Sequence, residues 1–385
     1  MRIDNSQIPQ PASVAPRGVL MSFRNFAAAA LTIPILACGG NTDSAPDSTA
    51  AASGDIPRTI EAHPEERFFG SIRQLTDGGE NAEAYFSRDG SRLIFQSSRD
   101  GRECDQQYVM NADGSDVHMV STGEGKTTCG YFYDNDQRIL FSSTHAVERS
   151  CPAALDPSSG YVWGLDPYDI YTARPDGTDL QRLTNHGVYT TEATLSPDGE
   201  TILFTSLKDG DLDIYTMNTD GSNVRRLTNS EGYDGGAFFS PDGSKIVYRA
   251  YHSTDSAEMA DYKALLEKRM VRPNRMEIWV MNADGSGQRQ VTNLGGANFA
   301  PFFAPDGERI IFSSNHTNPR SRNFDLYMVN LDGTNLTQVT FDEEFDGFPM
   351  FSPDGKYLVW ASNRNARVMG ETNVFIAEWQ EISQQ

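Results

Sequence analysis

Asn185–Thr228 reads NHGVYTTEATLSPDGETILFTSLKDGDLDIYTMNTDGSNVRRLT. Four short β-type runs lie in it: Glu192–Ser196, Thr201–Ser206, Asp213–Asn218 and Val224–Thr228. Asp198-Gly199 joins the first pair and Asp220-Gly221 the last pair. Asp-Gly between alternating apolar runs is a strong hairpin signal, because glycine reaches positive φ without steric cost. Two hairpins in about 44 residues make one four-stranded antiparallel sheet, the size of a propeller blade.

A lone blade cannot bury both faces, so copies must pack face to face. The first turn recurs at Gly90, Gly243, Gly307 and Gly355, with a decayed form, YDND, ending at Asp136. The third run recurs as QQYVM, DIYTA, DIYTM, EIWVM, DLYMV and NVFIA. Six third runs imply six blades. Only five fourth runs follow them; the sixth stands at the front as GSIRQLT, Gly70–Thr76. It is expected to be the outer strand of the last blade and so to close the ring. The predicted fold is all-β: a six-bladed propeller over 67–381, with insertions at 146–167 and 253–276.

Ahead of the repeats, Arg24, an apolar stretch Phe26–Ala37 and Cys38-Gly39-Gly40 have the order of an export signal within residues 1–37. The apolar stretch is too short to span a bilayer. Residues 38–66 are rich in Ser, Ala, Asp, Thr and Pro and are expected to be a disordered tether. About 25 such residues would reach ~25–30 Å by random-coil scaling.

The net charge is −21. Without residues 1–37, which hold three Arg and one Asp, 29 basic residues face 52 acidic ones. Such a surface argues against nucleic-acid binding. Of the four cysteines, Cys104, Cys129 and Cys151 follow Cys38. Export permits a disulfide, and an odd number leaves one thiol over. Cys104–Cys129 and Cys129–Cys151 stand as equal pairings.

The repeated LT…SPDGxxIxFxS…DIYxMxxDGSxxxxLT resembles the TolB-type β-propeller repeat, over Phe69–Trp379. Ile35-Leu36-Ala37-Cys38 resembles the bacterial lipobox, which implies cleavage before Cys38 and lipid attachment to it; plain secretion is the alternative. Gly39 rather than Asp after it implies the periplasmic or cell-surface side of an outer membrane. The TolB family carries an α/β domain where this chain has a linker, so the resemblance is to a TolB-like lipoprotein form. It implies a monomeric, non-catalytic platform for an envelope protein or peptide, touching the membrane only through its anchor. Similar propellers cap prolyl oligopeptidases, but the G-x-S-x-G nucleophile elbow of their hydrolase domain does not occur here. Two alternatives remain: a metal-assisted hydrolase or lyase in the channel mouth, and a small-molecule or carbohydrate-binding module. No cofactor or metal is expected.

By topology both insertions lie on one face, the upper, opposite the Asp-Gly hairpins. Long loops on a rigid scaffold are a common seat of function. Tyr161 and Trp163 in the first insertion read as a partner contact or as a plug. The second predicts a helix from Ser256 to about Met270, with Asp255 and Glu258 as a capping box. Met259, Tyr262, Leu265, Leu266 and Met270 form its apolar stripe. It reads as a docking lid or a passive plug.

Four residues beyond the aromatic of each second strand stand Arg99, His145, Lys208, His252, His316 and Arg364. They read as intrablade ties, or as a charged, pH-switchable ring round the upper mouth. Binding of a metal by His145, His186, His252 or His316 has no supporting local spacing. Asn81, Glu83, Thr128, Glu192, Asp234, Asn298 and Asp346, at the starts of the first strands, form an acidic, amide-rich collar. It would either hydrate a channel or receive a cationic group from a partner.

Overall fold

The computed structural model describes residues 56–381. The export signal, Cys38 and the tether up to residue 55 lie outside the described residues. Six antiparallel sheets follow one another along the chain, at 80–119, 127–182, 190–226, 233–290, 298–338 and 346–379. Their first strands pack side by side in a closed circle, the last against the first. This is the six-bladed ring that the repeats predict.

The repeat residues earn their recurrence by satisfying backbone groups. In the SPDG turns, the glycine takes φ +73° at Gly90 and +81° at Gly199. The serine hydroxyl then takes a backbone N–H from five residues on: Thr201 N to Ser196 Oγ, 3.0 Å, and Tyr357 N to Ser352 Oγ, 3.0 Å. In YDND, Asp134, Asn135 and Asp136 all hold positive φ. The Asp136 carboxylate accepts Arg88 N–H at 2.8 Å and Asp89 N–H at 3.0 Å, so the lost glycine is exchanged for a bridge to the neighbouring turn. The threonine that ends the fourth run, after Leu or Val, locks the third strand. Thr184, Thr228, Thr292 and Thr340 accept a third-strand N–H at 2.8–2.9 Å.

Thr76 does the same for the last blade. It accepts from Val374 N at 2.9 Å and donates to Asn373 Oδ1 at 3.0 Å. Phe69–Gln74 pairs with Asn373–Trp379, with Ile72 opposite Ala377. The ring is thus latched by its N-terminal strand, as the missing fourth run predicts.

One boundary moves. Arg58–Ile60, read from composition as tether, adds a fifth strand outside Phe69–Gln74. Glu66, in the same supposed tether, is buried and accepts from Arg364 Nη2 at 2.9 Å. Composition missed this because three residues of edge pairing need no apolar run.

The two insertions meet. Trp163–Gly164 pairs antiparallel with Met270–Val271 as a separate two-stranded sheet. Helix α1 spans Ser256–Leu266, shorter than expected, because Met270 is needed in that sheet. Asp255 caps it, accepting from Ala257 N and Glu258 N at 2.8 and 3.0 Å. The reciprocal half of the box is absent: Glu258 accepts from Ser253 Oγ and Tyr251 Oη instead. Met259 and Tyr262 bury against Leu165, Leu212, Tyr233, Val271 and Met276, while Leu265 packs with Val162 and Met270. No helix among the described residues is long and apolar enough to cross a membrane.

Candidate binding chamber under the insertions

Each first strand carries a β-bulge, at 82/85, 128/131, 191/194, 235/238, 299/302 and 347/350. Inside each bulge one residue is left-handed: Glu83, Cys129, Glu192, Gly236, Ala300 and Phe348, with φ between +49° and +59°. Each lies seven residues before the turn glycine or its Asp136 counterpart. A bulge re-aims one side chain out of the strand's alternation. Here it aims five side chains and the bare Gly236 at one space, for all six residues line a single chamber of about 510 Å³.

The chamber is two-sided. Blades one to three contribute Glu83, Cys129 and Glu192; blades four to six contribute Gly236, Ala300 and Phe348. Tyr161, Val162 and Trp163 of the first insertion line it, as do Tyr168 and Tyr189. Phe299, Phe345 and Phe348 stack into an aromatic wall with centroids 5.6–6.3 Å apart. Two residues below the bulges, Tyr85, Tyr131, Phe238 and Phe302 close ranks, Tyr85 to Phe238 at 5.6 Å and Phe238 to Phe302 at 5.2 Å. This waist separates the chamber from a second cavity of about 440 Å³ among the Asp-Gly turns.

Arg249 fills the place that Gly236 leaves free: a Cβ on Gly236 would stand 1.8 Å from Arg249 Nη1. The guanidinium pairs with Glu192 and donates from Nη2 to the Tyr233 hydroxyl oxygen at 2.6 Å. It lies 5.3 Å from the Trp163 ring. Glu192 also takes Thr205 Oγ1 and Gly236 N, each at 2.7 Å. Burial opposes the charge on Arg249, but Glu192 more than restores it, so the arginine pKa is raised.

Glu83 has no such partner. Burial raises its pKa to about 7, partly offset by a hydrogen bond with Cys129. Asp105, on the same wall, is raised to about 6, again by burial. Cys129 is pushed well above the usual thiol value, by burial first and by Glu83 next. The chamber thus holds one carboxylate paired with an arginine, Glu192, and two raised toward neutrality by burial, Glu83 and Asp105.

The predicted collar divides. Glu83, Thr128 and Glu192 face the chamber. Asn81, Asp234, Asn298 and Asp346 are fully buried within the blades instead. Asn81 accepts Ser97 Oγ at 2.8 Å and Asn298 accepts Ser314 Oγ at 2.6 Å. Asp346 accepts Trp360 Nε1 at 3.0 Å and Arg364 at 2.9 Å. Each stands two residues before the left-handed one, where the strand still alternates normally.

The six basic side chains do not converge. Each sits over the aromatic of its own third strand. Arg99 lies 5.5 Å from the Tyr108 ring, His145 4.4 Å from Tyr171 and Lys208 4.9 Å from Tyr215. His252 lies 5.0 Å from Trp279, His316 4.6 Å from Tyr327 and Arg364 5.8 Å from Phe375. The acids opening the third strands are held elsewhere, Asp169 by Arg182 and Asp213 by Arg226. Burial lowers the pKa of His145 and of His316. Burial also disfavours His252, but Asp234 at 3.0 Å from Nε2 prevails and raises it. A shared switchable ring is not what the geometry forms. Among the described residues, no three His, Cys, Asp or Glu side chains gather as a metal would require.

Tyr161 is 58% exposed and Trp163 donates from Nε1 to its hydroxyl at 3.2 Å. Tyr262 is buried and donates to Asp211, so it secures α1 rather than facing outward. Cys129 lies in the chamber wall, whereas Cys104 and Cys151 share a cleft on the rim. The structure therefore brings together a pair that neither expected pairing contains. The chamber residues missed from sequence had a signal. Counting seven back from each turn glycine, and from Asp136, finds all six bulge residues. Arg249 stands out in its column, whose other members are Gln96, Ser142, Thr205, Ser313 and Ala361.

A family model described as TolB beta propeller domain matches residues 165–271 and 269–381. Among solved structures, a protein from Agrobacterium tumefaciens described as TolB superposes with TM-score 0.55 at 20% identity, covering 80% of this chain and 93% of that one. TolB from Acinetobacter baumannii gives 0.48 at 16%, covering 79% of this chain and 65% of that one. An oligogalacturonate lyase in complex with manganese gives 0.47 at 16%, with 86% and 98% covered. No curated protein matches the chain.

Proposed function

We propose, for a chain that belongs to the TolB β-propeller domain family, a non-catalytic role in the bacterial cell envelope: binding a protein or peptide on the face that carries the two insertions. The observation that carries this reading is the placement of exposed apolar side chains. Val147, Leu155 and Tyr161 on the first insertion, and Val368 and Met369 on the blade-six loop, are 41–103% exposed on the upper face, against 37–41% for Leu180, Val224 and Leu336 at the lower-face turns. Apolar surface gathered on one face marks a contact site more often than scattered residues do. Beneath it, Glu83 and Asp105 line the same chamber as the Phe299–Phe345–Phe348 wall. An acid–aromatic pocket suits a basic side chain from a partner, held by charge and by ring faces. A rigid ring lowers the ordering cost of such binding.

A lipid anchor at Cys38 and an outer-membrane location complete the proposal. Both lie beyond the described residues and rest on the lipobox-like stretch.

The test is photo-cross-linking in intact cells, with the full chain and its natural N-terminus. A reactive residue at Tyr161 or Met369 is expected to give a discrete protein adduct, and one at Leu336, among the lower-face turns, none. Equal adducts from both faces, or none from Tyr161, would overturn the reading.

A small-molecule or carbohydrate-binding module is the second reading. The chamber favours it, since about 510 Å³ lies within the usual size of ligand pockets. Under that reading Tyr161 gives no protein adduct, while a small ligand protects the folded chain thermally and loses its effect in Trp163→Ala. The enzyme reading has less to draw on, because Glu192 is committed to Arg249, Thr205 and the Gly236 amide.

A further inference from the structure

We propose that Cys104 and Cys151 form a disulfide that fastens the first insertion to blade one, leaving Cys129 as a free thiol in the chamber wall. Cys104 lies on the loop between the second and third strands of blade one; Cys151 lies in the insertion of blade two. Both half-buried side chains line one cleft, with Arg102, Gly123, Gly125 and Arg149. The cleft is already stitched shut by its backbone. Cys104 Sγ donates to Gly125 O at 3.3 Å, and Gly125 N donates to Arg149 O at 2.6 Å. Arg149 meets Glu124 at 3.5 Å across the same seam. The two thiols interact directly, and this contact, after burial, helps raise the Cys104 pKa to about 12.

The chemistry balances simply. Each thiol gives up a proton and together they give up two electrons, forming one S–S bond. A disulfide-bearing oxidant accepts both electrons and leaves as a dithiol. Exchange proceeds through a thiolate, which is scarce at Cys104, so Cys104 is a poor attacking thiol once the fold is complete. The bond is expected to form early, while the insertion closes over the ring, in an oxidising compartment. For that compartment it rests on the proposed export. The juxtaposition itself does not, and the experiment separates the two.

The reduced, purified full chain is refolded with oxidised and reduced glutathione, then alkylated, digested and mapped by mass spectrometry. The expected product is a Cys104–Cys151 cross-linked peptide, with Cys129 alkylated after unfolding. Cys129→Ser keeps the cross-link and Cys104→Ser abolishes it. Amide exchange over residues 146–164 is expected to speed up when the bond is reduced. A cross-link through Cys129, or complete alkylation of Cys104 and Cys151 after refolding, overturns the pairing. The same map made on chain taken from cells tests export separately: a bond formed in vitro but missing in cells leaves the geometry intact and removes the compartment.

Discussion

Arg249→Met offers the most direct probe of how the chamber is built. It removes the guanidinium from Glu192 and leaves a carboxylate that is only 11% exposed, beside Tyr233 and Trp163. Removing one partner of a buried pair costs about 3–5 kcal/mol, because the remaining charge has no compensation. Thr205 Oγ1 and Gly236 N still hold Glu192, which places the cost near the lower end, about 3 kcal/mol. An unfolding entropy of ~2.1 cal/mol/K per residue over 56–381 makes each kcal/mol worth about 1.5 °C. A fall in Tm of about 4–5 °C is therefore expected by scanning calorimetry. Glu192→Gln alone strands the arginine and is also destabilising. The double variant should be less destabilised than the two singles added together, by about 1–3 kcal/mol. Strict additivity, or a loss below about 1 kcal/mol for Arg249→Met, would refute the view that these two charges depend on each other.

Three further outcomes are expected. Glu83 is raised from 4.5 to about 7 by burial, so the folded chain holds a proton there that the unfolded chain has lost. Its stabilising contribution is complete below about pH 4.5 and fades as the pH rises to about 7; denaturant titrations of Glu83→Gln should show a flatter pH profile across that window, with the largest relative gain above pH 7. Gly236→Ala would put a methyl group 1.8 Å from Arg249 Nη1 in a left-handed position, and it should destabilise by more than about 1 kcal/mol, which urea unfolding measures; a neutral result would mean Arg249 is free to move. Thr76→Val removes the two buried hydrogen bonds to Asn373 and Val374, and about 1–3 kcal/mol should be lost, with amide exchange rising first in Asn373–Trp379.

The ring was legible because its determinants are local and repeated. A turn glycine, a serine five residues before a strand and a threonine that locks its neighbour all recur at fixed offsets. The latch was legible by subtraction, since Gly70–Thr76 had no blade of its own. The site was only half legible. Glu83 and Glu192 were placed in the mouth, but Asp234 and Asp346 were placed there too, since period-two alternation cannot foresee a bulge that turns one residue left-handed. Arg99 to Arg364 looked like a ring because they align in sequence; radially, each is held over its own Tyr, Trp or Phe. Cys104 and Cys151 come together only through the path of two loops, which no spacing encodes. Arg58–Ile60 was missed for the opposite reason: its pairing depends on a strand already in place.

The bond between Thr76 and Asn373 spans 297 positions. The strand that completes the last sheet leaves the ribosome first and meets its neighbour last. At roughly 5–20 residues per second, it waits about 15–60 s for that neighbour to be made. During synthesis the growing arc therefore keeps two bare sheet edges, one at each end, each able to pair with a stranger. A chain cut short before Asn373 never loses them, so nonsense truncation in the final sheet should yield aggregation rather than a smaller working ring.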